Sequence, residues 1–116
     1  LAKYEQQDYQ SALAEFDRAI DIDSSHIDAY IYRGDAKDKL EDYEGAIADY
    51  NEAIKIDSTH PKAYYSRGNV LRKAGDNRGA IADYDQAIKL DPNYTSTKNW
   101  SHVHVNSETT EKLRQE

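Results

Sequence analysis

The segment GAIADYNEAIK at positions 45–55 recurs as GAIADYDQAIK at positions 79–89, a displacement of 34 residues. Upstream of each copy the same displacement relates Ala29-Tyr30-x-x-Arg33-Gly34 to Ala63-Tyr64-x-x-Arg67-Gly68. A partial copy precedes both, with Ala12, Phe16, Ala19 and Ile20 in the frame of Ala46, Tyr50, Ala53 and Ile54. Asp23, Asp57 and Asp91 close the three units. A period of this length marks stacked supersecondary units, none of which can bury its apolar face alone.

Inside a unit the pattern is helical. Ala46, Tyr50, Ala53 and Ile54 fall at i, i+4, i+7 and i+8, which sets them on one stripe of a helix. The preceding segment has its own shared face, made by Tyr30, Gly34 and Lys37 in one unit and by Tyr64, Gly68 and Leu71 in the next. Each unit therefore reads as a helical hairpin. Asp8, Asp42 and Asp76 stand just before the second helices, where a carboxylate caps free backbone N–H groups. Pro61 fits the first turn of its helix, which tolerates a missing N–H.

The recurring Gly, Ala, aromatic and Ala slots resemble the tetratricopeptide repeat, over residues 1–94. The sequence departs from that pattern where Tyr30 and Tyr64 replace Trp, Arg33 and Arg67 fill the Leu slot, Lys37 replaces the second aromatic, and Ser24 and Ser58 replace Pro. The resemblance implies an all-α, right-handed superhelical solenoid of antiparallel helix-turn-helix repeats. Residues 1–26 would be a truncated first unit, 27–60 and 61–94 full units, and 95–116 a degenerate capping segment around Trp100 or a plain tail. Gly34 and Gly68 are expected to let paired helices approach opposite Ala46 and Ala80, with Phe16, Tyr50 and Tyr84 filling the space beside them.

Composition narrows the chemistry. Twenty-two acidic against fifteen basic residues give a net charge of −7 over 116 residues, which suits one acidic domain and argues against nucleic acid as a partner. Cysteine is absent, which removes disulfides, thiol nucleophiles and thiolate metal sites. No apolar run reaches the length of a membrane span and no secretory signal is visible, so a cytoplasmic location without membrane contact is expected. Leu1 falls inside what should be a first helix, so an upstream extension, with any targeting segment, is also expected. His26 and His60 lie one repeat apart, too far to share a metal; His102 and His104 are two weak ligands without support. Asn93-Tyr94-Thr95 and Asn99-Trp100-Ser101 match the glycosylation pattern only as strings. With no phosphate loop or nucleophile motif, the sequence reads as a non-enzyme without cofactor or metal.

Two sets of polar residues recur. Arg33 and Arg67 keep company with Asp49 and Asp83, and Glu15 holds the same slot in the partial unit. A guanidinium binding two carboxylate oxygens would tie helix to helix there, with anion binding as the alternative. On the face opposite the core stripe, Asp28, Ile31, Asp35 and Asp38 are matched by Lys62, Tyr65, Asn69 and Arg72, flanked by Lys39 and Lys73. The resemblance implies that this face holds an extended peptide or a partner helix. An internal ladder, with Asp38 near Arg72 and Asp28 near Lys62, is the competing reading. Some relatives grip carboxylate-terminated chaperone tails; only Lys62 and Asn69 match that set, while Tyr32 and Ser66 stand where Asn or Arg is wanted. The expected function is a protein-interaction scaffold, with Tyr65, Asn69, Arg72 and Lys73 as leading contacts. The alternative is an assembly element whose exposed ends stack on another copy or on a larger protein.

Overall fold

A computed structural model describes residues 3–96 as a succession of helices: α1 (Lys3–Ile22), α2 (Ile27–Lys39), α3 (Tyr43–Ile56), α4 (Pro61–Lys73) and α5 (Asn77–Leu90), then a 3-10 turn at Pro92–Ser96. No strand occurs among the described residues. α2 packs on α3 and α4 on α5 as hairpins, and α1 against α2 and α3 against α4 join the units into a stack. The expectations about Trp100, His102, His104 and the cap at 95–116 lie outside the described residues, apart from Thr95 and Ser96 at the end of that turn.

The 34-residue frame is repeated atom by atom. Asp42 Oδ1 accepts the Gly45 N–H at 3.0 Å and Asp76 Oδ1 that of Gly79 at 2.8 Å, so both second helices carry the expected N-cap. Asp23, Asp57 and Asp91 close the units by accepting the N–H two residues on, from Ser25, Thr59 and Asn93. The Tyr30 hydroxyl donates to the Ser24 carbonyl and that of Tyr64 to Ser58, which pins each first helix to the preceding turn where Pro is absent.

Asp8 breaks the pattern. It was expected to cap a second helix, but it lies inside α1, which runs unbroken for 20 residues. In the later units the cap carboxylate lies directly over Gly45 or Gly79, and Ser11 occupies that frame position in the first unit. Among the described residues no first helix folds back on α1 to favour a turn at Gln7, and the helix continues.

The core is small against large. Ala46, Tyr50, Ala53, Ala63 and Val70 form one buried cluster with Ile31. A Cβ on Gly34 would meet the Tyr50 ring at 2.7 Å, and one on Gly68 the Tyr84 ring at 2.9 Å and the Ala80 carbonyl oxygen at 3.1 Å. Both glycines thus sit at close crossings, with the aromatic ring rather than Ala46 filling the space over Gly34.

Candidate functional site

Arg33 and Arg67 are structural ties. Arg33 forks onto Asp49, Nε to Oδ2 at 2.9 Å and Nη2 to Oδ1 at 2.6 Å, and its Nη1 reaches Asp17 on α1 at 2.9 Å. Arg67 repeats this with Asp83 and with Asn51 on α3. One guanidinium therefore joins its own second helix to that of the unit before. Asp49 and Asp83 are 3% and 6% exposed, and these bonds hold both arginines above their ordinary protonation range. The guanidiniums also stack 5.6 Å over Tyr30 and Tyr64. Lys37, which replaces the second aromatic of the repeat pattern, places Nζ 3.1 Å from Asp49 Oδ2 and adds a second cation to that carboxylate.

The face between α2 and α4 is a groove of about 340 Å³. It gathers Asp35, Asp38, Lys39, Lys62, Tyr65, Asn69, Arg72 and Lys73, eight of the ten residues expected there, and adds Ser66. Ser66, which the sequence places where the carboxylate-gripping set wants Asn or Arg, lies 6% exposed on α4. Two expected members fall elsewhere. Ile31 is fully buried in the core cluster, because α2 lies between α3 and α4 and its apolar position is covered; it is not a groove contact. Asp28 is exposed and faces His60, with 3.8 Å between Oδ1 and Nε2.

The ladder between α2 and α4 exists, with partners one step from those expected. Lys73 Nζ lies 3.0 Å from both oxygens of Asp38, and Lys62 Nζ lies 3.8 Å from Asp35. Asp38 thus pairs with Lys73 rather than Arg72, and Lys62 with Asp35 rather than Asp28. Beneath the groove, the Tyr50 hydroxyl donates to Asp35 at 2.6 Å, while burial raises the Asp35 carboxyl above its ordinary range. The Tyr84 hydroxyl donates to Asn69 Oδ1; burial pushes it up to about 12, against the pull of the Arg72 guanidinium beside it. Tyr65 stacks on Tyr84 and Tyr94, with centroids 5.5 and 5.3 Å apart. Asn69 and Tyr65 are therefore held rigidly from below. Arg72 Nε is buried and has no hydrogen-bond partner among the described residues. Lys39 and Arg72 have no carboxylate partner there either, and two groove carboxylates face four groove cations.

Among the described residues no three His, Asp or Glu side chains gather to hold a metal ion, and no helix is long and apolar enough to cross a membrane.

A family model described as TPR repeat matches residues 34–75, and one described as Tetratricopeptide repeat matches residues 61–94. No curated protein matches the chain. Among solved structures, the first TPR of Spaghetti (RPAP3), bound to the HSP90 peptide SRMEEVD, has a TM-score of 0.75 at 21% identity, covering 97% of this chain and 82% of that one. The Arabidopsis OM64 TPR domain gives 0.77 at 24%, covering 97% and 85%. MamA gives 0.69 at 24%, covering 78% of this chain and 53% of that one. At these identities the likeness speaks to the fold. The helical repeat, its caps and ties, and the two family matches together place the chain in the tetratricopeptide repeat family, as an all-α helical solenoid.

Proposed function

We propose that the chain is a non-catalytic protein-interaction module, and that the groove between α2 and α4 holds an extended peptide with a carboxylate-bearing end. The observation that carries this is a local inversion of charge. A chain of net charge −7 presents a groove with four cations against two carboxylates, and the carboxylates are already engaged by Lys62 and Lys73. Lys39 and Arg72 remain to meet an incoming anion, Asn69 offers its amide N–H groups, and Tyr65 offers an aromatic wall. A structural relative binding the acidic peptide SRMEEVD supports the same chemistry. Within the groove only Lys62 and Asn69 match the anion-gripping set of such relatives, so Arg72 and Lys39 carry the main charge here.

The test is fluorescence anisotropy with labelled SRMEEVD, in free-acid and amidated forms. Arg72→Ala with Lys39→Ala is expected to weaken binding on the order of tenfold or more, amidation to weaken it, and added salt to weaken wild-type binding through screening. Asp35→Asn is expected to leave binding equal or tighter. Salt-independent binding that survives the double substitution would refute the anionic ligand.

A further inference from the structure

The two full units hold one groove side chain in the same way but with a different charge. Asp35 and Asn69 are frame equivalents on α2 and α4, and both line the groove. Each is held from below by the tyrosine of its own hairpin: the Tyr50 hydroxyl donates to Asp35 Oδ1 at 2.6 Å, and that of Tyr84 to Asn69 Oδ1. With Oδ1 taken, Asn69 has its NH2 group left as a donor. Asp35 has Oδ2 left instead, a charged acceptor. A carboxyl group and an amide have the same shape, so one proton on Oδ2 gives Asp35 the donor and acceptor pattern that Asn69 already has.

The surroundings of Asp35 favour that proton. α3 brings the Tyr50 hydroxyl to it, α4 brings Lys62 Nζ to 3.8 Å from Oδ2, beyond hydrogen-bond reach, and α1 brings Tyr9 beside the apolar Ala12 and Phe16. On α2 itself Asp38 and Lys39 act on it. Burial raises the Asp35 carboxyl above its ordinary range; the Tyr50 hydroxyl, Lys62 and Lys39 pull it down, and Asp38 pushes it further up. Tyr50 keeps its own proton, because burial and Asp35 hold its hydroxyl well above the ordinary range. The other groove carboxylate is better satisfied, since Lys73 Nζ lies 3.0 Å from both oxygens of Asp38.

We propose that Asp35 gates the groove: an acidic peptide is bound with uptake of a proton at Asp35, and is therefore gripped more tightly as pH falls. This rests on the groove being the peptide site. The Asp35 side chain is 36% exposed, so a bound peptide can meet it, and Lys62 is the cation that it shares with an incoming carboxylate. A second negative charge beside Asp35 disfavours its ionised form. Reciprocally, a proton on Asp35 removes the repulsion, frees Lys62 for the ligand and turns an acceptor into a donor. Asn69 needs no such step, so the gate acts at the α2 side of the groove.

The intact chain and its Asp35→Asn variant are titrated into labelled SRMEEVD by anisotropy from about pH 8 down to about pH 4.5, a span that crosses the carboxyl range, with folding checked by circular dichroism. The carboxylates of the peptide titrate in both series, so the ratio of the two affinities isolates Asp35. The variant, a neutral isostere, is expected to bind on the order of tenfold tighter at the upper end, and its advantage to vanish at the lower end. In parallel the Asp35 carboxyl carbon, identified by its loss in the variant, is followed by NMR. Saturating peptide should raise its titration midpoint, by about one pH unit for a tenfold advantage, because both measurements read one coupling. Asp38→Asn should keep the wild-type dependence on pH. The inference is overturned by an advantage that is constant with pH or absent at the upper end, by a midpoint that the peptide leaves unmoved, or by loss of the pH dependence in Asp38→Asn. Absence of binding by both chains at every pH refutes the peptide groove itself, and the gate falls with it.

Discussion

Replacing Gly34 or Gly68 by alanine sets two effects against each other. Helix propensity alone favours alanine by about 1 kcal/mol. Against it, the new methyl on residue 34 would stand 2.7, 3.0 and 3.1 Å from three atoms of the Tyr50 ring. Carbon contacts are comfortable only from about 3.5 Å, so the ring must retreat by several tenths of an ångström or more. It has nowhere to go: Tyr50 is fully buried, and its hydroxyl is tied at 2.6 Å to Asp35 on the same helix that carries residue 34. Overpacking of this kind costs ~1 to 3 kcal/mol, and stretching a hydrogen bond to a carboxylate adds roughly 1 to 2. The net expectation is a loss of about 1 to 4 kcal/mol.

Gly68→Ala meets the Tyr84 ring at 2.9 Å and the Ala80 carbonyl oxygen at 3.1 Å, so part of the obstruction is backbone and α5 itself must shift. For a domain of this size 1 kcal/mol moves the melting midpoint by roughly 4 to 8 °C, so either substitution should lower it by about 4 to 30 °C. Thermal melts and urea titrations followed by circular dichroism measure this. Combining Gly34→Ala with Tyr50→Phe, which frees the ring from Asp35, should cost less than the sum of the single changes. A Gly34→Ala chain that melts at or above wild type would show that propensity wins and that the crossing is not tight.

Three further outcomes are expected. Glu41 adopts φ of +65° where its frame equivalent Gly75 has +96°, so Glu41→Gly should stabilise by up to about 1 kcal/mol and Gly75→Ala should destabilise by a similar amount in urea titrations. Lys37 and Arg33 share Asp49, while the equivalent of Lys37 in the last hairpin is Leu71; Lys37→Leu should therefore be neutral or stabilising in a thermal melt, and Asp49→Ala should cost about 3 kcal/mol or more by leaving two cations without it. Burial raises the Tyr84 hydroxyl to about 12, so its neutral form is favoured by folding; that stability is complete below the ordinary value of 10.0 and is lost as pH rises toward about 12. Urea midpoints should fall across that window, on the order of 1 to 2 kcal/mol, and Tyr84→Phe should flatten the fall.

Most of the fold is legible in the sequence because its determinants are local or strictly periodic. The apolar stripe, the cap at Asp42 and Asp76 and the Arg33 and Arg67 ties recur at a fixed spacing and are found where the period places them, and Pro61 stands in the first turn of its helix as a local signal. Asp8 misleads because a cap forms only where the chain turns, and α1 runs through Gln7 unbroken with no first helix packed back on it among the described residues. Lys37 is legible in the sequence only as a departure from the repeat pattern, because the partner that neutralises it lies on another helix, beyond any local pattern.

The groove shows why one frame position can serve packing in one unit and recognition in another. Ile31 and Tyr65 are equivalent, yet Ile31 is enclosed between α3 and α4 while Tyr65 closes the last hairpin against Tyr84 and Tyr94. The core slots hardly vary between the two full units, whereas the groove slots reverse or lose their charge: Asp28 to Lys62 and Asp38 to Arg72 change sign, and Asp35 to Asn69 becomes neutral. Packing offers no reason for that switch, because helix propensity and burial differ little between a charged surface residue and its opposite. What the switch does is place acids on one helix against cations on the next. Part of the cationic charge is spent on the ladder at Lys62 and Lys73, and the surplus at Arg72 and Lys39 faces the groove. A ladder alone would need only matched numbers, so the excess of cations is the part of this surface that stacking does not explain, and it points toward an anionic partner.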